Sequence, residues 1–311
     1  MKDVDRQTRS HLMDLFAQHG INPRTDLGQN FLIDLNIVEY IVDHAGIEPT
    51  DVVLEIGAGT AGMTTYLAAM AEDVVSVELD SNMFRIASSV VSDFDNVTLL
   101  HCDALKNKNQ LNPLVIEAIE EKLATAENRQ LRLVANLPYN VATPIVSNLV
   151  GTDLPWSGMV VTIQLELGLR MNAKPGKNTY GALSVWLQSQ CDVKVMKTLK
   201  PTVFWPRPGV NSAIVRLLPN PKRAKMIKNR VFFHDFIRRL FHQRRKMMRS
   251  VLVGMYRKQL SKPGIDAILE SLNFDEGCRA EDQSVNSLVR LANHFHNAIE
   301  KSDAVEKLRQ E

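Results

Sequence analysis

Cysteine is scarce. Cys102, Cys191 and Cys278 are the only three in 311 residues, odd in number and far apart. That pattern excludes a disulfide framework and a zinc site built from paired cysteines, so no metal is expected and a reducing cytoplasm is the simplest compartment. A long apolar run is missing too: no stretch of about eighteen apolar residues occurs, so no membrane-spanning helix is expected. The residues from Met1 to Ser10 are charged, carry Asp3 and Asp5, and lack the apolar stretch of a secretory leader. Net charge is small as well, at +2, but this hides an asymmetry. Between Lys222 and Lys262 fourteen Lys or Arg meet a single acid, Asp235, a local +13 that leaves −11 for the rest.

What is present is a chain with 45% hydrophobic and 23% charged residues, suited to a soluble globular protein of two domains with full cores. Its first two-thirds alternate strand and helix. Asp51-Val52-Val53-Leu54-Glu55-Ile56 reads as a strand ending in the turn Gly57-Ala58-Gly59-Thr60-Ala61-Gly62, after which Met63, Tyr66, Leu67 and Met70 recur at helical spacing. A second strand ends at Glu78, a helix follows through Phe84, Ile86 and Val90, a third strand ends at Asp103, and a helical stretch from Leu114 to Leu123 precedes a strand ending at Asn136. This order predicts an α/β fold with a doubly wound sheet and ligands at the strand C-termini. Gly57, Glu78, Asp103 and Asn136 all fall there.

Asn136-Leu137-Pro138-Tyr139 carries the chemistry. The exocyclic nitrogen of adenine is a poor nucleophile because its lone pair is delocalised into the ring. An Asn side-chain oxygen and the backbone carbonyl before Pro138 can accept its two N–H hydrogens, while the Tyr139 ring stacks on the base. Those bonds turn the lone pair toward an incoming methyl group and stabilise the positive charge that develops on nitrogen. The same residues also suit a plain turn at a strand end.

The glycine turn leaves a choice of cofactor. Gly57-x-Gly59-x-x-Gly62 with Glu78 downstream satisfies a dinucleotide fingerprint, so a nicotinamide oxidoreductase competes with a methyltransferase. Asp103, suited to an adenine amino group, and the tetrapeptide at Asn136 favour S-adenosylmethionine. Glu78 and Asp103 also suit simple capping roles at strand ends.

The basic stretch predicts the partner. Arg238, Arg239, Arg244, Arg245, Lys246 and Arg249 read as helical, with Phe236, Ile237, Leu240, Phe241 and Met248 as the apolar face. Confined to one stretch of an otherwise acidic chain, they read as a surface tracking nucleic-acid phosphates rather than a merely solvated helix.

With these residues in hand, the chain resembles the ribosomal RNA adenine N6-dimethyltransferase family, in its small-subunit branch. The resemblance runs through Leu27-Gly28-Gln29-Asn30-Phe31-Leu32, Glu55-Ile56-Gly57-Ala58-Gly59, Glu78-Leu79-Asp80, Asp103-Ala104 and Asn136-Leu137-Pro138-Tyr139-Asn140. It continues through Tyr180-Gly181-Ala182-Leu183-Ser184-Val185, Phe204-x-Pro206-x-Pro208-x-Val210-x-Ser212, Phe241-His242-Gln243-Arg244-Arg245-Lys246 and Arg279-Ala280-Glu281-Asp282-Gln283-Ser284.

The resemblance implies a Rossmann-like class I S-adenosylmethionine-dependent methyltransferase sheet in residues 1–220, including an N-terminal segment over the cofactor. Residues 221–311 would form a smaller helical domain that grips rRNA. Gln29, Asn30, Leu32, Gly57, Gly59, Glu78, Asp103 and Asn136 would contact S-adenosylmethionine. Asn136, Leu137, Pro138, Tyr139 and Phe204 would hold the target adenine, with Tyr139 and Phe204 on its two faces. By their residue types alone, Phe204 reads equally well as core packing and Leu32 as apolar filler.

The implied reaction is dimethylation of two adjacent adenines in the 3′-terminal hairpin loop of small-subunit rRNA. The small ribosomal subunit would be the partner of a monomeric enzyme, with no membrane involved. A mainly non-enzymatic role in ribosome assembly is the alternative. Thr60-Ala61-Gly62-Met63 departs from the family's leucine-containing turn, Trp205 and Arg207 fill variable slots, and residues 106–130 read as a charged helical insertion on the surface.

Overall fold

The computed structural model describes residues 7–24 and 28–310, with the side chains of 303–310 left aside. Met1 to Ser10 therefore lies largely, and Leu27 wholly, outside the described residues. The strands are β1 (Phe31–Leu32), β2 (Val52–Ile56), β3 (Asp73–Glu78), β4 (Val97–His101), β5 (Leu105–Asn107), β6 (Gln110–Leu111), β7 (Leu131–Asn136), β8 (Trp156–Gln164), β9 (Cys191–Leu199), β10 (Phe204–Trp205) and β11 (Ser212–Pro219). The helices of the first part are α1 (Arg9–His19), α2 (Leu35–His44), α3 (Gly62–Ala68), α4 (Ser81–Val90), α5 (Pro113–Leu123), α6 (Ala142–Gly151) and α7 (Leu165–Met171).

Seven strands form one sheet in the order β4-β3-β2-β7-β8-β11-β9. From β4 to β8 neighbouring strands are parallel, and β11 runs antiparallel to β8. Every residue of β2 is buried, as expected of a central parallel strand covered on both faces. Val53, Val74, Val134, Val160 and Ile214, from five neighbouring strands, share a core cluster with Ile41 and Val42 of α2 and Leu67 of α3. Strand order reverses at β2: the chain next builds β3 and β4 on one side, then β7 and β8 on the other. The C-terminal end of β2 is thus the switch point where a doubly wound sheet opens a cleft.

Residues 106–130 are not the surface insertion expected from their charge. They hold the β5–β6 hairpin and then α5, whose start is capped by Asn112 with Pro113 following. Val115 and Ile119 of α5 are fully buried, while Lys122 reaches Asp73 at 3.2 Å. α5 is the crossover helix joining β4 to β7, and its charges occupy the face away from the core.

The chain divides into two compact units, residues 1–168 with 194–219, and residues 169–193 with 220–311. One boundary falls at Pro219–Asn220, and Leu169–Val193, expected in the first domain, groups with the second unit. The physical reason is local bonding within that unit: Tyr180 Oη donates to the Gln283 carbonyl at 3.0 Å and Gly176 N–H to that of Glu281 at 2.8 Å. The second unit comprises α8 (Ala182–Gln188), α9 (Pro221–Ala224), α10 (Arg230–His242), α11 (Met248–Tyr256), α12 (Lys262–Ser271) and α13 (Val285–Gln310). Its core is aromatic, with Phe236, Tyr256 and Phe295 meeting ring to ring.

Candidate active site

At the C-terminal ends of β2, β3 and β7 the first unit encloses a cleft lined by the glycine turn, Glu78, Asp103 and Asn136 to Tyr139. Gly57 and Gly59 have φ of +84° and +57°, where side chains are strained. A Cβ on Gly59 would lie 2.9 Å from the Phe31 ring, and one on Gly57 3.3 Å from Pro138 Cδ. The turn is therefore bare backbone held open against its neighbours, a cradle that a side chain would fill.

Glu78 closes one side of the cradle. Its Oε2 accepts from Gly59 N–H at 2.7 Å and its Oε1 from Asp80 N–H at 2.8 Å, while Asp80 caps α4. Only 7% exposed, the carboxyl is pushed up in pKa by burial, with the backbone N–H bonds opposing. Below the turn, Glu55 Oε2 accepts from Thr64 Oγ1 at 2.6 Å and Ser76 Oγ at 2.7 Å. Burial lifts its pKa to about 7, against the pull of those two hydroxyls.

Asn136 ends β7, and its Nδ2 donates to the Asn30 carbonyl at 2.8 Å. That bond assigns the amide orientation and leaves Oδ1 as an acceptor with no partner among the described residues. Leu137 N–H is tied to the Thr162 carbonyl at 3.1 Å, and the Pro138 carbonyl accepts from Val141 and Ala142 at the start of α6. The tetrapeptide is a strand-to-helix junction held by these backbone bonds. Tyr139 Oη meets Ser212 Oγ at 2.6 Å, fixing a half-buried ring at the cavity wall; burial raises its pKa and the Ser212 bond opposes.

Gln29, Asn30 and Leu32 also line the cleft. Gln29 Oε1 accepts from Arg24 N–H at 2.7 Å, and Asn30 Nδ2 donates to the Gly28 carbonyl at 3.0 Å. Asp103 lies at the cleft with Oδ1 accepting from Leu105 N–H at 2.8 Å.

Phe204 is packed in the core and is not among the residues that line the cleft. It is 1% exposed, pairs in register with Leu32 through β1 and β10, and belongs to the main core cluster. Its apolar ring gains from that core the free energy of being removed from water. Tyr139 and Phe31 are the aromatics that line the cleft among the described residues.

Sequence reasoning missed Gln7. Its Nε2 donates to the Thr60 carbonyl at 2.8 Å and its Oε1 accepts from Thr60 Oγ1, clasping the far side of the glycine turn. Nothing in local pattern links residues so far apart. The Ser212 interaction did have a signal, since Ser212 closes the phenylalanine–proline motif.

In the second unit the basic residues separate. Arg244, Arg245 and Lys246 lie in the turn between α10 and α11 rather than on a helix, because the helical hydrogen bonding stops after His242. Arg244 donates to the carbonyls of Asn178 and Tyr180 at 2.6 and 3.0 Å. Arg249 makes a two-pronged pair with Asp266 at 2.6 and 2.7 Å. Arg239 donates to the Met255 carbonyl at 2.9 Å and stands over the Tyr256 ring. Arg238 is 68% exposed and 2.8 Å from Asp235. Arg245 and Lys246 are exposed, with no partner among the described residues.

A family model described as ribosomal RNA adenine dimethylase matches residues 20–297. The chain belongs to that family. The ribosomal RNA small subunit methyltransferase A of Bacillus thuringiensis (strain Al Hakam) is 36% identical over 294 residues, covering 94% of this chain and 97% of the relative. Among solved structures, a dimethyladenosine transferase from Plasmodium falciparum superposes with a TM-score of 0.70 at 23% identity, covering 85% of this chain and 97% of that one. The 23S rRNA methyltransferase ErmE gives a TM-score of 0.60 at 19% identity, covering 86% of this chain and all of the other. The two superpositions speak for the fold, a methyltransferase sheet followed by a helical part. As a member of the adenine dimethylase family the chain is an S-adenosylmethionine-dependent methyltransferase, and the nicotinamide alternative left open by the glycine fingerprint falls away.

Proposed function

We propose that this adenine dimethylase places two methyl groups on the N6 nitrogen of each of two adjacent adenines in the 3′-terminal hairpin loop of small-subunit rRNA. Its partner is the small ribosomal subunit, and it acts as a cytoplasmic monomer without a metal. The relative named as a ribosomal RNA small subunit methyltransferase, matched over nearly its whole length, supports this choice of substrate. The cleft fits S-adenosylmethionine: the bare turn at Gly57 and Gly59 admits it to the backbone, Glu78 supplies acceptors for ribose hydroxyls, and Asp103 suits its adenine. Gln29, Asn30 and Leu32 close the remaining wall. When bound, the cofactor supplies an electrophilic methyl group on a sulfonium sulfur.

The observation that carries the reading is the Asn136 amide, turned by its bond to Asn30 so that Oδ1 remains available in the same cleft as Glu78. Asn136 Oδ1 and the Leu137 carbonyl accept the two hydrogens of the adenine amino group and draw its lone pair out of conjugation. As that nitrogen gains positive charge, the two oxygens stabilise it more than they stabilise the ground state. Tyr139 holds the base by stacking, its ring fixed by Ser212. Pro138 has no N–H to compete for these acceptors. The N6 proton leaves to solvent after transfer, so no strong base is needed.

The test is transfer of labelled methyl from S-adenosylmethionine to small subunits lacking the modification, with product nucleosides separated and Asn136→Ala run alongside. Dimethyladenosine from the wild type only is the expected result. Tight subunit binding without transfer would replace this reading with an assembly role.

A further inference from the structure

The motif from Tyr180 to Val185 takes no part in the catalytic cleft. It lies instead in the second unit, where it borders a separate open concavity lined by Arg170, Thr179, Gly181, Ser184, Arg238, His242 and Arg244 among others. Three guanidinium groups around one hollow repel each other, and an anion among them relieves that repulsion. The motif holds two of the arginines in place by backbone bonding. The Tyr180 and Asn178 carbonyls accept from Arg244, and Ser184 Oγ donates to the Arg170 carbonyl at 2.6 Å while accepting from Gly181 N–H at 3.1 Å. Tyr180 itself is anchored by its hydroxyl on the Gln283 carbonyl and by its ring edge-on to Phe241.

The acids nearby offset only part of this charge. Asp235 faces Arg238 at 2.8 Å and Glu281 faces Arg244 at 3.6 Å. Arg170 is exposed and its side chain has no partner among the described residues. An arginine with a pinned backbone and a guanidinium that has no partner among the described residues, beside two further arginines, suits the paired, planar hydrogen bonding of a phosphate oxyanion.

We propose that this concavity seats one backbone phosphate of the RNA substrate, with Arg170 as its principal ligand and the Tyr180–Val185 motif as its scaffold. The seat rests on the rRNA reading above and deepens it, because it assigns phosphate binding to a residue outside the basic stretch of 222–262. Arg170 positions substrate and touches no reacting atom.

The test measures binding of small subunits lacking the modification across a salt series, for wild type, Arg170→Ala, Arg170→Lys and Arg290→Ala as a charge-matched control on an exposed part of α13. Methyl transfer and thermal midpoint are followed in parallel. Arg170→Ala is expected to bind about tenfold more weakly at moderate salt, with the slope of log affinity against log salt shallower by about 0.7–0.9. Its kcat at saturating subunit and its midpoint should be unchanged. Arg170→Lys should recover the slope but only part of the affinity, because an ammonium cannot pair in a plane. An unchanged slope in Arg170→Ala, or an equal change in Arg290→Ala, overturns the seat while wild-type binding and transfer leave the rRNA reading standing. Absence of both in the wild type overturns the rRNA reading itself. A slope that changes only when inorganic phosphate is added would mark a free-anion site and also overturn the seat.

Discussion

Asn136 Nδ2 lies 2.8 Å from the carbonyl oxygen of Asn30, joining the end of β7 to the segment that enters β1. One side chain thereby does two things: its nitrogen ties β7 to the segment that enters β1, and its oxygen is left without a partner among the described residues. Asn136→Ala is expected to lower kcat by at least about a hundredfold, the loss typical of a donor or acceptor aimed at developing charge. Subunit affinity should change little, because the substitution leaves every phosphate-binding cation in place. Asn136→Asp tests the orientation, since a carboxylate oxygen facing the Asn30 carbonyl is repelled; transfer should be as low as in the alanine variant, with weaker cofactor binding as well.

Glu78 predicts a cofactor effect separable from catalysis. Gln in its place keeps the shape but turns one acceptor into a donor facing either Gly59 N–H or Asp80 N–H. Glu78→Gln should weaken S-adenosylhomocysteine binding by roughly ten- to a hundredfold, the cost of one unmatched buried polar group. Calorimetric titration reads this directly. Wild-type affinity would remove Glu78 from the cofactor wall.

Glu55 predicts a pH dependence of stability. In the folded protein its pKa is raised to about 7 by burial, from an ordinary value of 4.5. Between those values the unfolded chain releases the proton and the folded chain keeps it, so the unfolded state binds fewer protons and stability falls as pH rises. The contribution is fully present below about pH 4.5 and lost as pH passes through about 7, with a span on the order of 3 kcal/mol. Glu55→Gln retains an oxygen for Thr64 and Ser76 and should flatten urea-unfolding stability between pH 5 and 7. A slope identical to wild type would assign the pH dependence elsewhere.

Tyr139 and Phe204 are predicted to differ in kind. Tyr139→Phe keeps the ring and loses only the Ser212 bond, so transfer should stay within about tenfold of wild type. Tyr139→Ala should lose stacking of about 1–3 kcal/mol, read in kcat/KM with little change in Tm. Phe204→Ala should instead lower stability by about 3–5 kcal/mol, as expected for a large buried ring. A Phe204→Ala protein with an unchanged Tm and abolished transfer would restore Phe204 to the base-stacking role.

Arg245 and Lys246 are exposed in the α10–α11 turn, and their side chains have no partner among the described residues. Replacing both with Ala should weaken subunit binding and lower the salt slope by about 0.7–0.9 for each phosphate that is no longer neutralised. Arg249→Ala should instead show its effect in stability, because Arg249 is committed to Asp266. Equal salt slopes for the double variant and wild type would return the turn to a solvated surface.

Much of the catalytic unit was legible because its information is local. A buried strand, a glycine turn and a helix of 3.6-residue period follow one another in Val52 to Ala68, and the strand ends place Glu78 and Asn136 by topology alone. The motif of residues 136–139 carries its chemistry in residue types, so the base-holding reading could be argued before any coordinates. The charge of residues 106–130 misled for a related reason: charge marks the wet face of a helix and says nothing of Val115 and Ile119 on the other.

The sequence by itself determined the sheet, the family and the residues at the strand ends, since periodicity, turn chemistry and residue type are properties of neighbouring positions. Only the tertiary structure decided that, among the described residues, Asn136 Oδ1 has no partner, Phe204 lies in the core, Gln7 clasps Thr60, and Arg244 and Arg249 are tied to partners while the Arg170 side chain is not. Each of these is a matter of hydrogen bonding or packing between segments far apart in the chain. Whether a guanidinium is spent on a carbonyl or left for a phosphate depends on what folding brings beside it, and no local pattern records that.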